Sequence, residues 1–193
     1  MQTARSKPRK SQKPRRSRLE GTAYHEAGHA VAAYLRNRRF TSVSIVAGRE
    51  TLGQCVFGNK PGVIELDAES YRRTRDRIET LIMVALAGVL AECLLTGRHN
   101  WRGAHADLHD AADYASYVTG DEQELSAYLK WQWERTRNLL SAGPHWAAIK
   151  ALAGELLISR RIGERRARQL ITEALTRSAA RKRRGTHAVR SRL

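Results

Sequence analysis

Cysteine and proline are scarce in this chain, with two and four among 193 residues, and no acid occurs in residues 1–18 or 174–193. Each scarcity excludes something. Two thiols, Cys55 and Cys93, in a chain with no sign of export are expected to be reduced, so no disulfide framework substitutes for a core. The N-terminus is basic but lacks the apolar run of a secretory signal, and its prolines argue against an amphipathic transit helix. The most apolar stretch, Leu81 to Leu95, contains Glu92 and is short for a bilayer span, so a core helix is expected there. These absences point to a cytoplasmic protein with no transmembrane segment.

The formal charge of +16 is concentrated at the ends. Residues 1–18 hold eight of the 35 Lys and Arg and residues 174–193 hold seven, which leaves 20 bases against all 19 acids in between. Runs of Lys, Arg, Ser and Pro without acids bury too little apolar surface to offset ordering entropy. The expected organisation is therefore a disordered basic arm over 1–18, one domain over 19–175 and a disordered basic tail over 176–193. Such arms suit a polyanion through charge neutralisation but carry no base-reading element.

Within the domain, Ala27, Ala30, Val31, Tyr34 and Leu35 fall on one helical stripe, with Thr22 as an expected N-cap. From Thr41 the chain alternates through Val43 and Ile45, turns near Gly48 and resumes over Leu52–Phe57, a pair of short strands. Helical patterns follow over Glu69–Leu95, from Ala104 to near Gly120, over Glu122–Leu140, Pro144–Ser159 and Glu164–Ala174. The fold class is mainly α with a small β-sheet.

The first helix carries His25-Glu26-Ala27-Gly28-His29. Histidines four residues apart project from one helix face and can reach one zinc ion, with the intervening Glu beside them as a base. The bland alternative is a surface helix whose His and Glu are merely solvated. Gly28 costs a helix about 1 kcal/mol relative to Ala, which implies that something approaches the backbone there, as a metal site would. A catalytic zinc takes three protein ligands. His99, His105, Asp107, His109, Asp110 and Asp113 are candidates for the third, and spacing does not choose among them.

These residues resemble the peptidase domain of the FtsH-type ATP-dependent zinc proteases. His25-Glu26-Ala27-Gly28-His29-Ala30 is similar to that family's zinc helix, and Val43-Ser44-Ile45-Val46 with Leu52-Gly53 and Phe57 to its strand pair. Ala87-Gly88 with Ala91-Glu92 is similar to its apolar helix, and Gly103-Ala104 with Asp107-Leu108 to the segment that bears its third ligand. The resemblance covers about residues 20–120 and implies a zincin-like helical domain with Asp107 as the third zinc ligand. It also implies hexameric assembly. Ala106 stands where the family usually has Asn, and Val89 where it has Arg. Gly48 and Gly53 have P-loop spacing, but Gln54 and Cys55 replace the Lys and Ser/Thr, so an ATPase, if one serves this peptidase, is expected to act in trans.

The expected activity is a zinc endopeptidase, one ion per chain, in which Glu26 takes a proton from the attacking water and unfolded polypeptide is the substrate. Leu52, Gly53, Gln54, Cys55 and Val56 are expected to present a strand edge to that substrate, as the resemblance implies. Glu92, the lone acid of an apolar helix, needs a buried partner, either a ligand histidine or an arginine. Cys93 reads as core filler. The rival reading is an adaptor of weak activity that keeps the peptidase fold and docks on nucleic acid or ribosomes through its arms.

Overall fold

In the computed structural model the described residues are 18–48, 52–58 and 71–190, the side chains of 71 and 181–190 excepted. Residues 1–17 of the expected N-terminal arm lie outside them.

Helix α1 (Arg18–Leu35) leads into strand β1 (Phe40–Ser44), then β2 (Gln54–Phe57), and the long helix α2 (Tyr71–Thr96) follows. Helices α3 (His105–Ser116), α4 (Glu122–Ser141) and α5 (Gly143–Ser159), strand β3 (Arg161–Gly163) and helix α6 (Glu164–Arg190) complete the order. The strands form one antiparallel sheet, β2-β1-β3, so among the described residues β2 is an edge strand.

Helix ends follow local chemistry. Asn37 at φ +54 and Gly97 at φ +72 take the left-handed conformation that stops α1 and α2. Gly97 N–H closes on the Cys93 carbonyl at 2.7 Å. Asp121 caps α4 by accepting from the Glu124 N–H at 2.7 Å. Thr22 is not an N-cap: α1 starts at Arg18, and the Thr22 hydroxyl donates back to the Arg18 carbonyl one turn earlier. Helix α6 runs on to Arg190, so residues 176–190, expected as disordered, are helical; Ala, Arg and Lys are all good helix formers.

The core sits between α1, α2, α5 and α6, filled by Val31, Ile78, Ile82, Leu90, Ile149, Leu152, Leu156 and Ile171, all essentially inaccessible. Helix α2 is long and apolar enough to cross a membrane, yet 67% of its most apolar window is buried inside the fold. It is the central core helix, as the lone Glu92 suggests.

What approaches Gly28 is protein rather than metal. A Cβ there would lie 2.5 Å from the Ala87 carbonyl oxygen and 2.7 Å from the Ala91 Cβ, so α1 and α2 meet backbone to backbone at this level. Gly28→Ala is expected to destabilise the fold by about 2 kcal/mol, an overpacking cost of up to about 3 offset by about 1 of helix propensity. Urea unfolding measures this; an unchanged midpoint would mean that the helices separate at no cost.

Candidate metal centre

That backbone contact sets α1 close enough to α2 for the His25 and His29 rings to lie on Gly88. A Cβ on Gly88 would overlap His29 Nε2 and stand 2.7 Å from His25 Nε2. Helix α3 brings Asp107, in its first turn, to the same point. His25 Nε2 lies 2.9 Å and His29 Nε2 3.4 Å from Asp107 Oδ2, and the two ring nitrogens are 3.0 Å apart. All three donor atoms fall within 4.8 Å of one another.

Each ring is oriented from its far side. His29 Nδ1 is 2.7 Å from the Val84 carbonyl and donates to it, which leaves Nε2 aimed at Asp107. His25 Nδ1 faces Glu92 Oε2 at 3.7 Å, an ion-pair rather than a hydrogen-bond distance. Glu92 in turn accepts from Asn100 Nδ2 at 3.1 and 3.3 Å, and Asn100 Oδ1 accepts from the Gly103 N–H at 3.1 Å. Among the described residues the charged partner of Glu92 is thus a histidine of the cluster and not an arginine.

The charges are mutually dependent. Burial works against a proton on His25, but Asp107 and Glu92 outweigh it and push its pKa up to about 10. Burial likewise opposes Asp107 ionisation, and the two histidines reverse this, holding its carboxyl well below the usual range. His29 is raised too, with Asp107 prevailing over burial. Two imidazole nitrogens and one carboxylate oxygen, converging and braced from behind, are a donor set that could hold a zinc ion.

Glu26 is 6% exposed, and burial raises its pKa while His29 and His25 lower it. The Cys55 backbone N–H donates to its carboxylate, and a Cβ on Gly53 would come within 2.8 Å of its Oε1. Of the five residues expected to form a substrate edge, Gly53 and Cys55 therefore touch Glu26. Leu52 and Gln54 are exposed, Val56 is half-buried and the Cys55 side chain is buried. The other third-ligand candidates lie apart: His109 pairs with Asp113 at 3.3 Å, and His99 stacks on Trp101. Cys93 is half-buried with Sγ 3.8 Å from His99 Nε2, a neighbour of that aromatic cluster rather than core filler.

Asn100 escaped the sequence reading. Its signal was an Asn three residues before a Gly at a helix approach, the local side-chain-to-backbone turn pattern. Asn100→Ala is expected to weaken metal binding by about 10- to 100-fold without unfolding the chain, as loss of the groups that orient metal ligands usually does. Zinc titration by calorimetry checks it, and wild-type affinity in the variant would remove Asn100 from any supporting role.

A sequence profile of Peptidase family M41 matches residues 12–121. The span includes His25, Glu26, His29, Glu92 and Asp107. No curated protein sequence matches the chain.

Proposed function

Because the chain belongs to peptidase family M41, the FtsH-type zinc metallopeptidases, we propose that it is a working endopeptidase whose zinc is held by His25, His29 and Asp107. The observation that carries this reading is the convergence of those three donor atoms within 4.8 Å beside the buried Glu26. A zinc ion there supplies Lewis acidity to a substrate carbonyl and lowers the pKa of a bound water.

The chain's own residues do the rest. Glu26, its pKa raised by burial, accepts the proton of the attacking water and is suited to pass it on to the leaving amine. The Cys55 N–H holds that carboxylate in place, and Gly53 leaves the space it needs. The edge of β2 offers backbone groups to an extended chain, so recognition of this kind tolerates many side chains and requires an unfolded substrate.

The protein is expected to hold one zinc per chain by elemental analysis and to cleave an unfolded protein in a way that chelation stops and zinc restores. Asp107→Ala should weaken zinc by more than the roughly 100-fold that loss of a ligand-orienting group can cost. Zinc retained at full affinity in that variant would discard this ligand set. A zinc-loaded protein that cleaves no unfolded substrate would favour the adaptor reading instead.

A further inference from the structure

At the opposite end of β2 from Gly53 and Glu26, the chain forms a cleft of about 610 Å³ lined by Arg36, Arg38, Arg39, Arg73, Arg77 and Asp76, with Gly58 at its rim. Among the described residues one of the five arginines is paired in the cleft, Arg36 with Asp76 at 2.7 Å. Among the described residues Arg38, Arg39, Arg73 and Arg77 make no ion pair. The remaining acid of the lining, Glu164, is held by Arg168 at 2.8 Å.

Arg38 is fixed in place. Its guanidinium lies 4.1 Å over the Phe57 ring at the end of β2 and interacts electrostatically with Asp110 and Tyr114 of α3 and with the like charge of Arg77. It therefore stands at the Phe57 end of β2 and within electrostatic reach of α3, whose first turn carries Asp107. Guanidiniums gathered in a concavity repel one another and need an anion to offset the repulsion.

We infer that this arginine cleft is a specificity subsite for acidic side chains of the polypeptide substrate, an inference that rests on the peptidase reading. Strand β2 is four residues long and spans about 13 Å at roughly 3.3 Å per residue. A chain laid along its edge with the scissile bond beside Glu26 reaches the arginines about four residues away. Carboxylates suit this place because it lies at the Gly58 end of β2, whose edge the peptidase reading assigns to substrate backbone, and Arg presents paired N–H donors to a carboxylate.

The test uses the full zinc-loaded chain and quenched fluorescent peptides carrying two Glu three to five residues from the cleaved bond, on one side or the other, against their Gln isosteres. On one side the Glu peptide is expected to have a kcat/KM about tenfold higher, the sum of two or three partly exposed ion pairs. In Arg39→Gln/Arg73→Gln/Arg77→Gln the ratio should fall to near one, and in Arg77→Glu a Lys peptide should gain on the Glu peptide. Because the basic termini are the same in every variant, the change in ratio reads the cleft alone.

Equal cleavage of the Glu and Gln peptides by wild type overturns the inference and leaves the peptidase reading intact. If no peptide is cleaved, fluorescence anisotropy of the same peptides on wild type and the triple variant decides: a Glu preference that survives the triple variant also overturns it. Loss of affinity for a single-stranded oligonucleotide in the triple variant, with peptide binding unchanged, would assign the cleft to nucleic acid and refute the proposal.

Discussion

Glu26→Gln is expected to lower cleavage of an unfolded protein by about 10³-fold, within the range that a positioned general base contributes, while zinc stays bound at full stoichiometry. The two halves of this result follow from one geometry. The donor atoms that converge belong to His25, His29 and Asp107, so the substitution removes none of them. The amide keeps the shape of the carboxylate, and its carbonyl oxygen can still accept the Cys55 N–H, but it cannot take a proton at neutral pH.

Stability adds a check that separates the base from a structural acid. Burial raises the Glu26 pKa in the folded state, so the folded protein binds this proton more tightly than the unfolded chain does. Any stability from Glu26 is then present at low pH and lost as pH rises through the folded value, and at neutral pH the ionised group is a cost. Gln removes that cost in the metal-free protein, and there the variant should melt no lower than the parent. Kinetics on an unfolded substrate, elemental analysis and a thermal melt decide together. Lost cleavage with lost zinc or a lower Tm would mark Glu26 as structural.

The helices were legible because their signals are local. The stripe from Ala27 to Leu35 and the Gly97 stop need no knowledge of the rest of the chain. Strand β3 was not legible: Arg161-Ile162-Gly163 has one apolar residue and exists because β1 pairs with it, Val43 opposite Ile162. The histidines and Glu26 stand out in sequence by spacing alone. Asp107 does not, since His105, His109, Asp110 and Asp113 share its segment, and only the family resemblance singled it out. Its convergence with the histidines depends on how α3 packs on α2, which is a tertiary fact. Gly28 shows a correct inference with the wrong agent: a close approach was expected, and it is the Ala87 carbonyl that makes it. The arginine cleft was hidden because Arg36–Arg39 and Arg73–Arg77 are more than thirty residues apart, and only the packing of the chain brings them together.

Gly88→Ala should abolish tight zinc binding in a protein that remains folded. Judged on α2 alone the change is favourable, since Ala is better than Gly by about 1 kcal/mol in a helix interior. The obstacle is what lies over the glycine. The new methyl would overlap His29 Nε2, stand 2.6 Å from its Cε1 and 2.7 Å from His25 Nε2. Neither ring has an inexpensive way out. His29 is 6% exposed and tied through Nδ1 to the Val84 carbonyl, so turning it breaks a buried hydrogen bond. His25 would have to leave Glu92 and Asp107. Moving α2 away instead would open the contact at Gly28, which is already backbone to backbone. Every relaxation shifts at least one donor nitrogen, and zinc tolerates little departure from about 2.0–2.1 Å to each imidazole. Calorimetric titration with zinc should show affinity lower by at least about 100-fold, more than a ligand-orienting partner is worth, with far-UV circular dichroism unchanged. Tight zinc binding in a folded Gly88→Ala protein would show that the metal is not held where His25, His29 and Asp107 meet over this helix.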